Sequence, residues 1–267
     1  IFTADHVSFI DGSGMDAFVN LAAMSGIEPR LGLQAGVFLL ALRHPMVAAR
    51  QIASLAQAAP GRLMVGVGVG GEDRHEFEVC GIDPATRGRR TDVSLAIVRR
   101  LLEGDTVDGD GEFFGFTDGQ IKPVPRHRIP FVVGGRSEHA LRRAAQMGDG
   151  WLGALCSPRR FIQGNQLVTD LAGEREVRWR HGMQVWVGVG DSRESGRANV
   201  ARAMESFYKL SFSMFERYTP FGTPEQIAEF LHPYAAAGAS ILNLTPCADD
   251  PEEGVAAIAE VKRLLAG

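Results

Sequence analysis

The sequence predicts an α/β fold of the (β/α)8 TIM-barrel class. Three observations carry this. The 267 residues match the roughly 250 of one such barrel. Apolar, β-rich runs alternate with helix-patterned stretches from end to end, as in a parallel sheet with crossover helices. Several of those runs are continuously apolar, as strands covered on both faces must be.

The strand candidates are 1–7, 31–40, 63–69, 129–133, 150–154, 183–189 and 240–245. The helices between them carry recognisable ends. Thr223-Pro224-Glu225-Gln226 combines a capping box with Pro at the first helical position. Gly238 then stops that helix before the next strand. Asp250-Pro251-Glu252-Glu253 opens the last helix, where Val255, Ile258, Val261, Leu264 and Leu265 recur at helical spacing. Thr91 or Asp92 is the expected cap of a helix running to Leu102.

Seven strands are one short of a barrel, and residue 1 is Ile. The expectation is that a leading strand and helix, about thirty residues or an eighth of a barrel, are missing before it. Two stretches break the alternation and are expected to be loop insertions in a single domain spanning 1–267. The first, 104–128, is rich in Gly, Asp and Pro and holds Phe113, Phe114 and Phe116. A local hairpin is expected there. The second, 157–181, is polar and charged, and reads as a lid or a peripheral helix.

Composition narrows the function. A net charge of −4 argues against a nucleic-acid partner, which calls for a basic face. No apolar run approaches the ~20 residues of a membrane helix. The start, Ile1-Phe2-Thr3-Ala4-Asp5-His6, lacks the regions of a signal peptide. Cys80, Cys156 and Cys247 form neither a CxxC pair nor a disulfide framework, and a reducing, cytoplasmic setting is the simple expectation. His75, His127, His139, His181 and His232 show no metal-ligand spacing, so no metal site is expected. There is no GxSxG nucleophile elbow.

Three motifs are candidates for chemistry. Gly66-Val67-Gly68-Val69-Gly70-Gly71 follows an apolar strand and contains GxGxxG. A dinucleotide turn would need a short helix and a further strand soon afterwards, whereas 72–90 reads as polar loop. Glycines ending a strand also leave room for a flat ligand, Gly68 and Gly70 above all. Close strand packing alone would require them too. The second motif is Phe131-Val132-Val133-Gly134-Gly135-Arg136-Ser137. Its free N–H groups and helix dipole suit an anion such as phosphate, with Arg136 adding charge. An ordinary turn capped by Ser137 reads equally well. The third is Asp5-His6, at the carboxyl end of a strand, where barrel active sites lie. His6 is a candidate proton shuttle or hydrogen-bond donor; a structural Asp-His pair is the alternative. Glu72, just past the glycines, is a candidate acid/base, or else a solvated carboxylate. Arg87, Arg89 and Arg90 are placed before a helix, and Arg43-His44-Pro45 ends a strand and opens a helix.

In order and spacing, these segments resemble the luciferase-like monooxygenase family of bacterial luciferase, alkanesulfonate monooxygenase and the deazaflavin-dependent dehydrogenases. Asp5-His6 resembles the family's DH at its second strand, and 31–45 its third strand and helix start. The run from Gly61-Arg62-Leu63 to Gly71 is similar to its GR-LxxGxGxG signature. Gly81, Arg87 and Arg90 resemble the G…RxxR that follows. Gly134-Gly135 with Asp149-Gly150-Trp151 resembles its GG…DGW, and Gly222-Thr223-Pro224-Glu225 its late GTPE helix start.

The resemblance implies a flavin-type ring at the carboxyl ends of the strands, with Ala35, Gly36 and Val37 at the place of a supporting bulge. It implies a phosphate near Gly134-Gly135, and His6 beside the ring or the substrate. The implied activity is a flavin-dependent monooxygenase using reduced FMN and oxygen on a small organic substrate. A separate reductase would supply the cofactor, and a homo-oligomer is expected. The alternatives are hydride transfer with the deazaflavin coenzyme F-420, with His6 or Glu72 handling the proton, and a non-catalytic flavin-binding protein. Departures from the family pattern are Gln34-Ala35-Gly36 in place of a GTG-like run, and Val93 where Glu is common. Glu72 is also displaced by one from the GxGE glutamate of sugar-phosphate dehydrogenases.

Overall fold

The computed structural model describes residues 1–70 and 73–266. The chain divides into two compact units, one of residues 1–150 with 175–177, the other of residues 151–174 with 178–267.

The first unit is built on four parallel strands in the order β1 (Phe2–Thr3), β4 (Leu33–Phe38), β5 (Leu63–Val67) and β6 (Phe131–Gly134). All four were expected, and each is shorter than its apolar run. Between β1 and β4 stand an antiparallel hairpin, β2 (His6–Phe9) with β3 (Ser13–Met15), and the helix α1 (Ala17–Ile27). Of the hairpin only His6 and Val7 fall within a strand candidate, 1–7, because its three-residue second arm carries no apolar alternation.

α2 (Pro45–Ala58) follows β4, with Pro45 at its first turn and the His44 ring accepting the Met46 N–H. Two helices follow β5: α3 (His75–Val79) and α4 (Arg87–Glu103). Here the expectation of a polar loop over 72–90 is overturned. Asp73 caps the first turn by accepting the His75 N–H, and Phe77 is completely buried. α4 also begins earlier than expected, so Arg87, Arg89 and Arg90 lie inside it. Thr91 is no cap; its hydroxyl donates to the Arg87 carbonyl within the helix. Gly104, in left-handed conformation, ends α4.

In this unit Leu33, Ala35, Leu63, Val65, Val67 and Phe131 pack with helix residues such as Leu21, Ile52, Leu95 and Val98. Side chains alternate along a strand. Gln34, Met64, Gly66, Val132 and Gly134 therefore line the other face. The start of β6 is pinned by Asp149, which accepts the Phe131 N–H at 2.8 Å and ion-pairs with Arg99 and Arg128. Burial pushes the Arg175 guanidinium down from its usual value, and Arg99 adds to this, while Asp149 opposes it. The expected hairpin in 104–128 consists of an antiparallel bridge between Val107 and Gly119. α5 (Glu138–Met147) follows β6, with Ser137 as its N-cap.

The second unit holds β7 (Gly150–Ala154), β8 (Gly182–Val189), a two-residue β9 (Phe221–Gly222) and β10 (Ile241–Cys247). Within it β8 pairs in parallel with β7, β9 and β10. β9 was not predicted; two residues before a capping box leave no periodicity to read. The helices are α6 (Pro158–Ala172), α7 (Arg193–Tyr208), α8 (Pro224–Ala236) and α9 (Pro251–Ala266). Within 157–181, which was expected to hold a lid or a peripheral helix, the chain forms the helix α6. The capping box at Thr223 is present, and Asp250 accepts the Glu252 N–H at the start of α9. Trp151 is buried and stacks on Phe161 of α6. Gly164 admits the indole, since a Cβ there would overlap it. His181, just before β8, accepts the Trp151 N–H at Nδ1 over 3.1 Å. No described helix is long and apolar enough to cross a membrane.

Candidate active site

The candidate site lies within the first unit, at the carboxyl ends of β1, β4, β5 and β6. Its floor is set by Val37. The register of β4 on β5 shifts between Ala35 and Phe38, so Gly36 and Val37 form a bulge, and the Gly36–Val37 peptide is cis. The Val37 side chain then rests where three glycines have none. A Cβ on Gly66 would lie 3.2 Å from Val37 Cγ1, one on Gly134 2.8 Å from it, and one on Gly68 would overlap Cγ2. Gly68 and Gly134 are thus glycines because the β-branched side chain of Val37 fills their space, whereas a Cβ on Gly66 would meet the Ala35 carbonyl oxygen first. These contacts are those of the close-packing reading of Gly68. Gly70 has φ +62°, and a Cβ there would crowd Phe77 and Leu39. Beneath the bulge, Gln34 is buried, and its Nε2 has no hydrogen-bond partner.

The second wall is the turn after β6. Gly135 takes φ +134°, and its bare Cα clears Ala140. The Ser137 hydroxyl accepts the Ala140 N–H at 3.3 Å, so the capping reading of Ser137 holds. Arg136 is exposed beside it. The start of α5 offers backbone N–H groups and a positive dipole end.

The third wall carries the titratable groups. Asp5, almost completely buried, accepts the Ala17 N–H at 3.2 Å, the Leu39 N–H at 2.9 Å and both ends of the Arg43 guanidinium, at 2.6 and 2.8 Å. Burial pushes its carboxyl up, and the Arg43 charge and the two amides offset only part of this, so the net direction is up. Every partner is a donor, which is the environment of a carboxylate. Asp5 is therefore the structural half of Asp5-His6, locking the end of β1 to the turn after β4.

His6 faces Glu76 of α3. The His6 Nδ1 lies 3.1 Å from Glu76 Oε2 and 3.3 Å from Oε1. Oε1 also accepts the Val7 N–H at 2.7 Å and the Ser8 N–H at 3.3 Å. Burial raises the Glu76 carboxyl, but the His6 hydrogen bond, the two N–H donors and the His6 charge together outweigh it, so the net direction is down. The His6 side chain keeps 21% exposure, against 2% for Glu76. The imidazole thus keeps contact with solvent while its anchor is shielded.

Of the residues expected from the sequence, the structure gathers His6, Ala35, Gly36, Val37, Gly68, Gly70, Gly134, Gly135, Arg136 and Ser137 around these strand ends. Glu72 and Gly71 lie outside the described residues. Two participants were missed, Glu76 and Arg43. Glu76 was hidden in a stretch read as loop; the pattern Asp73-x-His75-Glu76-Phe77, a cap before a buried aromatic, was the available signal.

Residues 1–259 match the family model described as luciferase-like monooxygenase. An uncharacterized protein of Mycobacterium tuberculosis is 39% identical over 146 residues, covering 54% of this chain and 50% of the relative. A 4-hydroxyprotoasukamycin monooxygenase of Streptomyces nodosus is 33% identical over 191 residues, covering 69% of this chain and 46% of the relative. The chain spans about half the length of the curated relatives it matches. Among solved structures, an F420-dependent secondary alcohol dehydrogenase in complex with an F420-acetone adduct superposes with a TM-score of 0.84. The two are 19% identical, and the match covers 99% of this chain and 89% of the other. This likeness shows the fold, which is α/β and TIM-barrel-like, as the alternation of strands and helices predicted.

Proposed function

The chain belongs to the luciferase-like monooxygenase family, and from that premise we propose that it is an oxidoreductase that binds FMN over the Val37 bulge and oxygenates a small organic substrate. The observation that carries this reading is the convergence of Gly66, Gly68 and Gly134 on Val37. Side chains kept off these positions would leave a small-residue surface at the strand ends for an aromatic ring system.

The residues fit such a group in three ways. Ala35, Gly36 and Val37 would support the ring, with Gly68 and Gly70 beside it and the Gln34 amide able to donate from below. The backbone N–H groups from Gly135 to Ser137, with Arg136, would hold a phosphate. His6, anchored by Glu76, would stand beside the substrate and move a proton at its imidazole. When bound, reduced FMN supplies oxygen-activating chemistry, and a separate reductase would provide the reduced form. The protein's part is to seat the substrate, keep water from this surface and manage the proton at His6.

Hydride transfer with coenzyme F-420 is the second reading. A deazaflavin has the same flat shape, and the fold is shared with an F420-dependent alcohol dehydrogenase. A monooxygenase 33% identical over 69% of this chain supports the FMN reading, and F420-dependent glucose-6-phosphate dehydrogenases 28% and 31% identical over 57% of it support the second. Calorimetric titration with FMN and with coenzyme F-420, oxidised and reduced, tests the proposal. Selective binding of FMN is the expected result. Selective binding of F-420 moves the chain to the second reading. Binding of neither overturns both.

A further inference from the structure

We infer that the second unit carries a ligand site of its own, in which Asn243, with Gln184 and Trp186 beside it, takes a planar, uncharged molecule whose edge sets an N–H next to a carbonyl, as in a lactam. This does not rest on the FMN reading.

The argument begins with the two long strands of that unit. β8 and β10 run in parallel, with Gln184 opposite Asn243, Trp186 opposite Thr245 and Gly188 opposite Cys247. Residues paired in this way share a face, and side chains alternate along each strand. All of these residues therefore lie on one face of the pair. The other face carries Met183, Val185 and Val187, which are buried. α7 covers the first face toward the carboxyl ends. A Cβ on Gly188 would meet Gly196 and Val200 of α7, and Cys247 packs with Val200 and Met204. Toward the amino ends the same face turns polar, at Gln184 and Asn243.

Asn243 is 5% exposed, and its Nδ2 has no hydrogen-bond partner. Buried amide groups are almost always paired, because an unmade bond there forfeits the hydration the group gave up. The neighbours of Asn243 on this face, Gln184, Trp186 and Thr245, are all partly exposed. The buried amide is thus bordered by side chains that solvent reaches, and not by apolar core.

The chemistry of these side chains sets the ligand class. Neither β8 nor β10 contains a charged residue, so the strands offer no counter-charge to an ion. A primary amide carries a donor and an acceptor side by side. Its complement is an edge with a carbonyl beside an N–H. The carbonyl would accept from Asn243 Nδ2, and the N–H would donate to the amide oxygen of Asn243 or Gln184. The Trp186 N–H is given to the Tyr208 hydroxyl at 3.3 Å, so the indole offers its ring to a ligand. Phe207 and Tyr208 hold that ring, with centroids 5.4 and 6.0 Å from it. A flat molecule would pack on the indole, and Thr245, opposite Trp186, is too small to cover it.

The test is a titration of the intact protein, without cofactor, with 2-pyridone, followed by proton–nitrogen NMR. The signals read are the Trp186 indole N–H and the side-chain amides of Asn243 and Gln184, assigned by their loss in Trp186→Phe, Asn243→Leu and Gln184→Leu. 2-Pyridone should move all three along one saturating curve. N-methyl-2-pyridone keeps the ring and the carbonyl but lacks the N–H. It should bind roughly tenfold more weakly, the worth of one hydrogen bond. Asn243→Leu should weaken 2-pyridone by at least that factor and remove the preference between the two probes. Trp186→Phe should weaken both probes and keep the preference. Absence of a saturating shift in the wild type, with water alone meeting the amide, overturns the inference. So does equal binding of the two probes. Both results are read on the wild type and hold even if Asn243→Leu does not fold. Undiminished binding of 2-pyridone in a folded Asn243→Leu overturns it as well. No step uses FMN, so failure here is separable from failure of the proposed function.

Discussion

Val37 shows how a single side chain can dictate sequence on two other strands. Val37 is β-branched and stiff at χ1, so it cannot swing away from an added methyl group. Gly68→Ala would place a Cβ on Val37 Cγ2. Overpacking of this kind costs about 1–3 kcal/mol. The expected outcome is a loss of that size in urea unfolding, with weakened FMN binding by calorimetry. Val37→Ala in the same chain should restore most of the stability, because the severe clash is with Val37 Cγ2. If the two substitutions simply add, the glycine is needed for something other than Val37. The glycines were legible in the sequence as glycines at a strand end. Their cause was not, since the residue that fills their space lies some thirty to a hundred positions away and belongs to a bulge with no pattern of its own. His6 was legible in the same partial sense. Its position at a strand end marked it, but Glu76, seventy residues on, could be assigned to it only in three dimensions.

Among the elements, the hairpin β2–β3 is the one whose stability rests on others. Its turn contains Ile10 at φ +50°, a left-handed conformation that costs a β-branched residue about 1–2 kcal/mol. The cost is offset by α3 and by Asp73, two residues before it. Asp73 Oδ2 accepts the Ile10 N–H at 2.7 Å, and Glu76 accepts those of Val7 and Ser8. Ile10 is also 41% exposed, so its side chain contributes little burial in return. Ile10→Asn should therefore stabilise the protein by about 1 kcal/mol, since Asn tolerates this conformation; a lower urea midpoint would refute it. Asp73→Ala should leave the strands of the sheet unchanged while hydrogen exchange at the Ile10 amide accelerates. Equal exchange in both proteins would mean that the hairpin is held some other way. This element was the least legible. The longer parallel strands announced themselves by apolar runs, and the helices by caps such as Thr223 and Asp250. A three-residue arm and a five-residue helix bury too little to leave periodicity, and their order comes from carboxylates meeting backbone amides across long sequence separations.

For the whole molecule, acid is the condition under which these arrangements are tested together. His181 is buried and accepts the Trp151 N–H through Nδ1, so the folded protein holds it neutral. Burial lowers its pKa from 6.5 to about 4. Between those values the unfolded chain binds a proton that the native protein refuses, so stability must rise with pH across this window. This contribution is fully present above the unfolded value of 6.5 and is lost progressively as pH falls toward 4. Between pH 7 and pH 5 the linkage amounts to about 2 kcal/mol, large against the 5–15 kcal/mol that ordinary domains possess. Glu76 acts in the same direction but lower. Its carboxyl is held below its ordinary value, so its contribution is present above the unfolded value of 4.5 and is lost as pH falls below it. Urea unfolding at pH 7 and pH 5 should accordingly give a native protein weaker by about 2 kcal/mol at the lower pH. His181→Asn, whose amide oxygen can take the Trp151 N–H without titrating, should be less stable at pH 7 because it fills less of the site, yet nearly flat between the two pH values. A variant that keeps the full wild-type slope would show that the acid sensitivity arises elsewhere, and that His181 accepts its proton without unfolding the strand it supports.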